Sequence, residues 1–246
     1  MCCFSGKVEV VADTNIFARA LKDGRQFLVY SMSFQSGADV AMILPIPTPK
    51  GSAEDAVKFI SLQKYDAFFA DLRGGFPVPK SDAPPGRGPK DPGNKLTVVE
   101  VGDFVASFVP AVKDFDRLDK QFRLPAGVWD KLPQYKEWGF AVFKLKKPEK
   151  GQSKVHPMAF EFPRLDKKVL FFPTVHIHDG TVPAKAGFDH ALFCQVEGDA
   201  PPQWEETPGL AETFVKVKST AGIVDGSAHV YRKQMRGTFE NKDVLV

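Results

Sequence analysis

The sequence predicts an α+β domain dominated by a large antiparallel β-sheet, a meander or sandwich with a few short helices. Three observations predict it. Stretches rich in valine, isoleucine and phenylalanine alternate with period 2, as half-buried strands do. Turn-forming clusters separate them, drawn from 20 glycines and 20 prolines. Helical spacing is confined to short runs. A chain of 246 residues with 43% hydrophobic content is large enough for a single domain with a substantial core.

Taken in order, Lys7 to Asp13 and Thr14 to Leu21 read as two short strands, and Asp23-Gly24 is a two-residue hairpin signal. Arg25 to Ser33 mixes alternation with an apolar run, as a central strand would. Ser36-Gly37 then turns the chain into Ala38 to Leu44, predicting a meander that ends at Pro45, Pro47 and Pro49, which lack amide donors. Ser52-Ala-Glu-Asp55 has the pattern of a helix start, followed by Val57, Phe59, Ile60 and Leu62 at roughly helical spacing. Tyr65 to Leu72 reads as a second short helix. Residues 74–94 hold six prolines and five glycines and are read as an exposed loop. Strand periodicity returns at Lys95 to Val101, with Phe104 to Val109 as its partner. Val112 to Phe122 fits helix or loop, and Gly127 to Trp138 is part helix, its Trp129, Tyr135 and Trp138 assigned to the core. Phe140 to Lys146, Val155 to Phe162 and Val169 to His178 are strands. Leu210 to Lys218 is a short helix or strand, and Ala228 to Phe239 a last amphipathic element.

The charge is balanced. Against 30 acidic residues stand 33 basic ones, interspersed rather than clustered, so no nucleic-acid partner is expected. No segment is apolar enough to span a bilayer, and no signal peptide opens the chain. Three cysteines, two of them adjacent, make no disulfide framework; together these features predict a cytoplasmic protein.

The chemistry-bearing residues concentrate in one stretch. Phe171 to Cys194 holds three of the five histidines and one of the three cysteines. Thr174 to His178 and Phe188 to Cys194 both alternate, and Asp179-Gly180 with Pro183 to Gly187 supplies turn residues between them, so a hairpin is expected. In a symmetric hairpin His176 faces His190, roughly 5 Å away, with His178 diagonal to the pair. Three imidazoles on one face suit a transition metal, and the expected ion is copper or zinc. Cys2 or Cys3 is positioned in the sequence to add a thiolate, and Asp179 a hydrogen bond behind a ligand. Cys194, about 13 Å along the strand from His190, stays outside that ligand set. The metal ion is the expected partner. Copper would bring redox chemistry or storage, and zinc an activated water.

Two other readings stay open. Removal of Met1 would leave Cys2 as a thiol beside a free α-amino base, the logic of an N-terminal-nucleophile amidohydrolase. Alternatively, the chain is a non-catalytic β-rich binding module, its 22 phenylalanines lining a groove as well as a core. No G-x-S-x-G elbow, phosphate-binding loop, dinucleotide fingerprint or C-x-x-C occurs. The sequence leaves open whether the protein is an enzyme at all.

Three segments also carry a resemblance. Asp23 to Phe34 with Ala38 to Pro47, Tyr135 to Leu145, and His156 to Pro163 resemble, in order and character, an uncharacterised bacterial family of unknown function over roughly residues 1–180. That family has no assigned chemistry, so the resemblance to a bacterial family carries over no site residue.

Overall fold

The Asp23-Gly24 turn forms as its dipeptide predicts. In the computed structural model, which describes residues 3–77, 105–125, 127–148, 153–177 and 181–246, it joins β2 (Val8–Ala20) to β3 (Arg25–Ser36) in an antiparallel pair. Gly24 takes φ +86, a conformation that costs glycine little, and its N–H donates to Leu21 O at 3.1 Å. The two strands expected before the turn are one. Their boundary survives as an irregularity in the ladder between Ala12 and Asn15, with Asp13 at φ 49.

After β3 the chain does not continue as a meander. The Ser36–Ala38 turn carries it out of one sheet into another, where β4 (Val40–Ile46) pairs with β1 (Cys3–Phe4) and β7 (Gly139–Leu145), and β6 (Val105–Val109) pairs with β7. The larger sheet runs β12 (Glu205–Glu206), β13 (Tyr231–Glu240), β11 (Lys185–Gln195), β2, β3, β9 (Met158–Pro163), β5 (Lys58–Ser61), with β8 (Ser153–Lys154) also on β3. Every pairing is antiparallel except β2 with β11, so this sheet is mixed. β10 (Phe171–Phe172) and β14 (Val244–Leu245) form a separate ribbon.

Side-chain alternation explains why the two sheets stack. Leu28, Tyr30 and Met32 of β3 meet Met42, Leu44 and Ile46 of β4 and Phe143 of β7 in one buried cluster between the sheets. The intervening residues face outward and are covered too. Phe27 and Val29 of β3, with Phe193 of β11, lie under α1 (Phe68–Gly74) and the segment around Ile223 and Val230. Ala41, Ile43, Phe140 and Val142 lie under 3₁₀ turns that contribute Phe115, Val128, Leu132 and Tyr135. Strands covered on both faces read as apolar runs, which is the character of Arg25 to Ser33 in the sequence.

Other elements depart from expectation. The run after Ser52 is not a helix: residues 58–61 form β5, paired with β9, because Phe59 and Ile60 find cross-strand partners at a sheet edge. The second expected helix exists as α1. The expected strand at Lys95 to Val101 and most of the 74–94 loop lie outside the described residues, and β6 pairs with β7 instead. Ala228 to Phe239 resolves as β13. No helix among the described residues is long and apolar enough to cross a membrane.

Candidate functional site

The expected hairpin is not formed. β11 holds His190 between Met235 of β13 and Thr14 of β2, so both edges of the strand are taken. Residues 174–177 instead run between the N-terminal strand and the C-terminal residues. Ile177 makes a parallel bridge to Cys3, and Phe4 N–H donates to Ile177 O at 3.2 Å.

A clasp of polar residues from the C-terminal end holds this segment. The His176 N–H donates to Asn241 Oδ1 at 2.6 Å, and Asn241 Nδ2 donates to the carbonyls of His176 and Pro183. Thr174 and Val175 donate their amides to Asp243 Oδ1 at 2.8 and 3.2 Å, and Thr174 Oγ1 donates to Lys242 O. Tyr135 Oη donates to Asp243 Oδ2 at 2.6 Å. Burial pushes the Asp243 carboxyl pKa up from its ordinary value, against these hydrogen bonds, which pull it down. Burial likewise pushes the Tyr135 hydroxyl far up, so Tyr135 stays a donor.

The two histidines do meet, though not across a hairpin. The His176 and His190 rings stack with centroids 5.1 Å apart and 23° between planes. Phe188 lies against both, at 4.2 and 5.0 Å, and Phe239 against Phe188. His176 is 6% and His190 2% exposed. Face-to-face rings beside a phenylalanine present π-surfaces to one another rather than lone pairs to a common point. His178, Asp179 and Cys2 lie outside the described residues.

The described residues thus do not assemble the expected three-histidine ligand set. Among the described residues no group of three or more His, Cys, Asp or Glu side chains converges to hold a metal ion. Cys3 is fully buried in the cluster under the 3₁₀ turns, with Ala41 and Ile43, as a small apolar side chain. Cys194 is buried between the sheets, where burial pushes its thiol pKa well up and leaves it a poor thiolate. Asp189 points away from the histidines to accept from Asp13 N at 3.2 Å.

No protein-family model and no curated protein matches the sequence. Among solved structures, the crystal structure of baculovirus P35 superposes with a TM-score of 0.53 at 13% identity, over 99% of this chain and 98% of that one. The fold is similar to that of baculovirus P35. A mutated baculovirus P35 after caspase cleavage aligns at TM-score 0.51 and 14% identity, over 95% of this chain and 99% of that chain. The P35-like likeness is thus one of whole-chain architecture, and it is likeness to a protein that a caspase cuts rather than to a copper or zinc protein.

Sequence reasoning missed the residues that organise this region, Tyr135, Asn241 and Asp243. Tyr135 is visible in the sequence as a core aromatic, but nothing near residue 241 signals that its polar neighbours turn inward.

Proposed function

We propose that this protein is a non-catalytic, β-rich binding module whose partner is a protease of the caspase class, which engages and cleaves it. The observation that carries the reading is the end-to-end fold likeness to a P35 that has undergone caspase cleavage. The anchoring of the chain is consistent with it. Pro77 follows α1, which lies on the outer face of the larger sheet, and Val105 opens β6 at the edge of the smaller one. Both ends of the intervening sequence are therefore fixed to different layers of one framework.

Caspases are cysteine proteases that cut after aspartate, and the sequence between these anchors contains Asp82, Asp91 and Asp103. Asp91 precedes Pro92, whose ring removes the amide hydrogen and restricts the residue before it. Asp82 precedes Ala83, a small residue with an ordinary amide, and is the expected cut site. The test is incubation of the purified chain with a panel of caspases, read by intact-mass spectrometry and by residual peptidase activity. One cut after Asp82, abolished in Asp82→Ala, with the protease co-eluting with the fragments, is expected. A chain left whole by caspases that process a control peptide overturns the reading.

A further inference from the structure

At one end of the sandwich the β2–β3 turn, the turn after β9 and the loop after β11 border an open cavity of about 650 Å³. Its charged side chains are Lys22, Arg164, Lys167 and Lys168 against Glu197 and Asp199, an excess of cations among the side chains. Arg164 is the unusual member. It is only 9% exposed, yet among the described residues its guanidinium makes a single hydrogen bond, from Nη1 to Val169 O at 3.1 Å. Its Nε is buried without a partner, and no carboxylate among the described residues forms an ion pair with it. A guanidinium carries five donors, and leaving even one of them, here Nε–H, unmatched out of water is costly.

Two carboxylates that act on Arg164 through space are each held by a backbone amide. Asp23 Oδ1 accepts from Arg25 N and Asp166 Oδ1 from Lys168 N, each closing a local turn. The backbone fixes the cations in place. Arg164 N–H donates to Gly24 O at 3.1 Å, and the Lys167 stem lies across Gly24 so closely that a Cβ there would come within 2.7 Å of Lys167 Cε. Burial lowers the Arg164 pKa from its ordinary value, while Asp166 and Asp23 oppose that from a distance; arginine nevertheless stays charged at neutral pH.

We propose that this cavity binds a multiply charged oxyanion, a phosphate or carboxylate group carried by a small molecule, with Arg164 as the buried anchor and Lys22 and Lys167 at the mouth. An arginine fork matches the paired oxygens of either group, and flanking lysines supply charge without demanding one geometry. The inference stands independently of the protease reading, since none of these residues lies near Pro77 or Val105 in sequence.

The experiment uses the full chain with pyrophosphate, citrate and sodium chloride at matched ionic strength. A saturable rise in Tm of about 2–4 °C is expected with an oxyanion and not with chloride. The Arg164 Nε–H NMR signal, assigned with Arg164→Lys, should move along the same titration. Lys22→Ala and Lys167→Ala alter exposed side chains, so the fold is retained, and together they should weaken binding roughly tenfold. A stronger response to pyrophosphate assigns the natural group as phosphate, and a stronger response to citrate as carboxylate; either supports the site. Anions that act only through ionic strength, or that bind the lysine variants as they bind the parent, overturn it.

Discussion

Asp243, half-buried, receives a phenolic hydroxyl and two backbone amides, so each of these donors depends on it. Removing the acceptor strands all three. Asp243→Ala is expected to cost about 3 kcal/mol or more, read from the urea midpoint, whereas Tyr135→Phe, which removes one donor, is expected to cost about 1 kcal/mol. In the double variant the two losses should add to less than their sum, because they share one hydrogen bond. A different carboxylate reports on pH. Ser227 donates both its hydroxyl and its amide to Asp225 Oδ1, which holds the Asp225 pKa below its ordinary value. A depressed folded-state pKa stabilises above the unfolded pKa of about 3.9, and that contribution is lost as pH falls through the lower folded value. An NMR titration should therefore find Asp225 ionised below the usual midpoint, and Ser227→Ala should move the midpoint up.

At the level of elements, β7 has the least room. Gly139 opens it, donating its amide to Thr48 Oγ1, and a Cβ there would approach Phe108 to 2.5 Å and Thr48 Oγ1 to 2.7 Å. Gly139→Ala should destabilise by about 1–3 kcal/mol despite the entropy it removes from the unfolded chain, a balance measurable by denaturant unfolding. Leu28→Ala, in the doubly covered β3, should cost about 2–5 kcal/mol. These strands are legible in the sequence because alternation and β-branched or aromatic residues persist through them. The sheet to which each belongs is not legible. Ser36-Gly37 signals a turn, but a turn within one sheet and a turn between stacked sheets use the same residues, and only the cover over Ala41 and Ile43 separates them. The run from Val57 to Leu62 satisfies helical spacing and strand pairing alike, and the β9 edge decides it. For the site, His176 and His190 lie together without the hairpin expected to pair them, and spacing carries no information about ring orientation: the rings stack, with Phe188 beside them. Arg164 has no signal at all: one arginine among many, distinguished only by burial.

Over the whole molecule, the C-terminal residues close what the N-terminal residues begin. β13 covers one edge of β11, and the Asn241–Asp243 clasp pins residues 174–176 beside β1. Deletion of residues 231–246 should leave β11 unpaired along that edge, with an aggregating product lacking near-UV circular dichroism as the expected result. The parallel pairing of β2 with β11 sets Thr14 against His190, so the larger sheet is joined by contacts far apart along the chain. Such topology folds slowly, on millisecond-to-second scales. During synthesis at about 5–20 residues per second, β2 waits on the order of ten seconds or longer for its neighbour to leave the ribosome. For that interval the nascent polypeptide carries an unfinished sheet margin, which makes its yield in a cell depend on translation speed and on chaperones that shield bare strands.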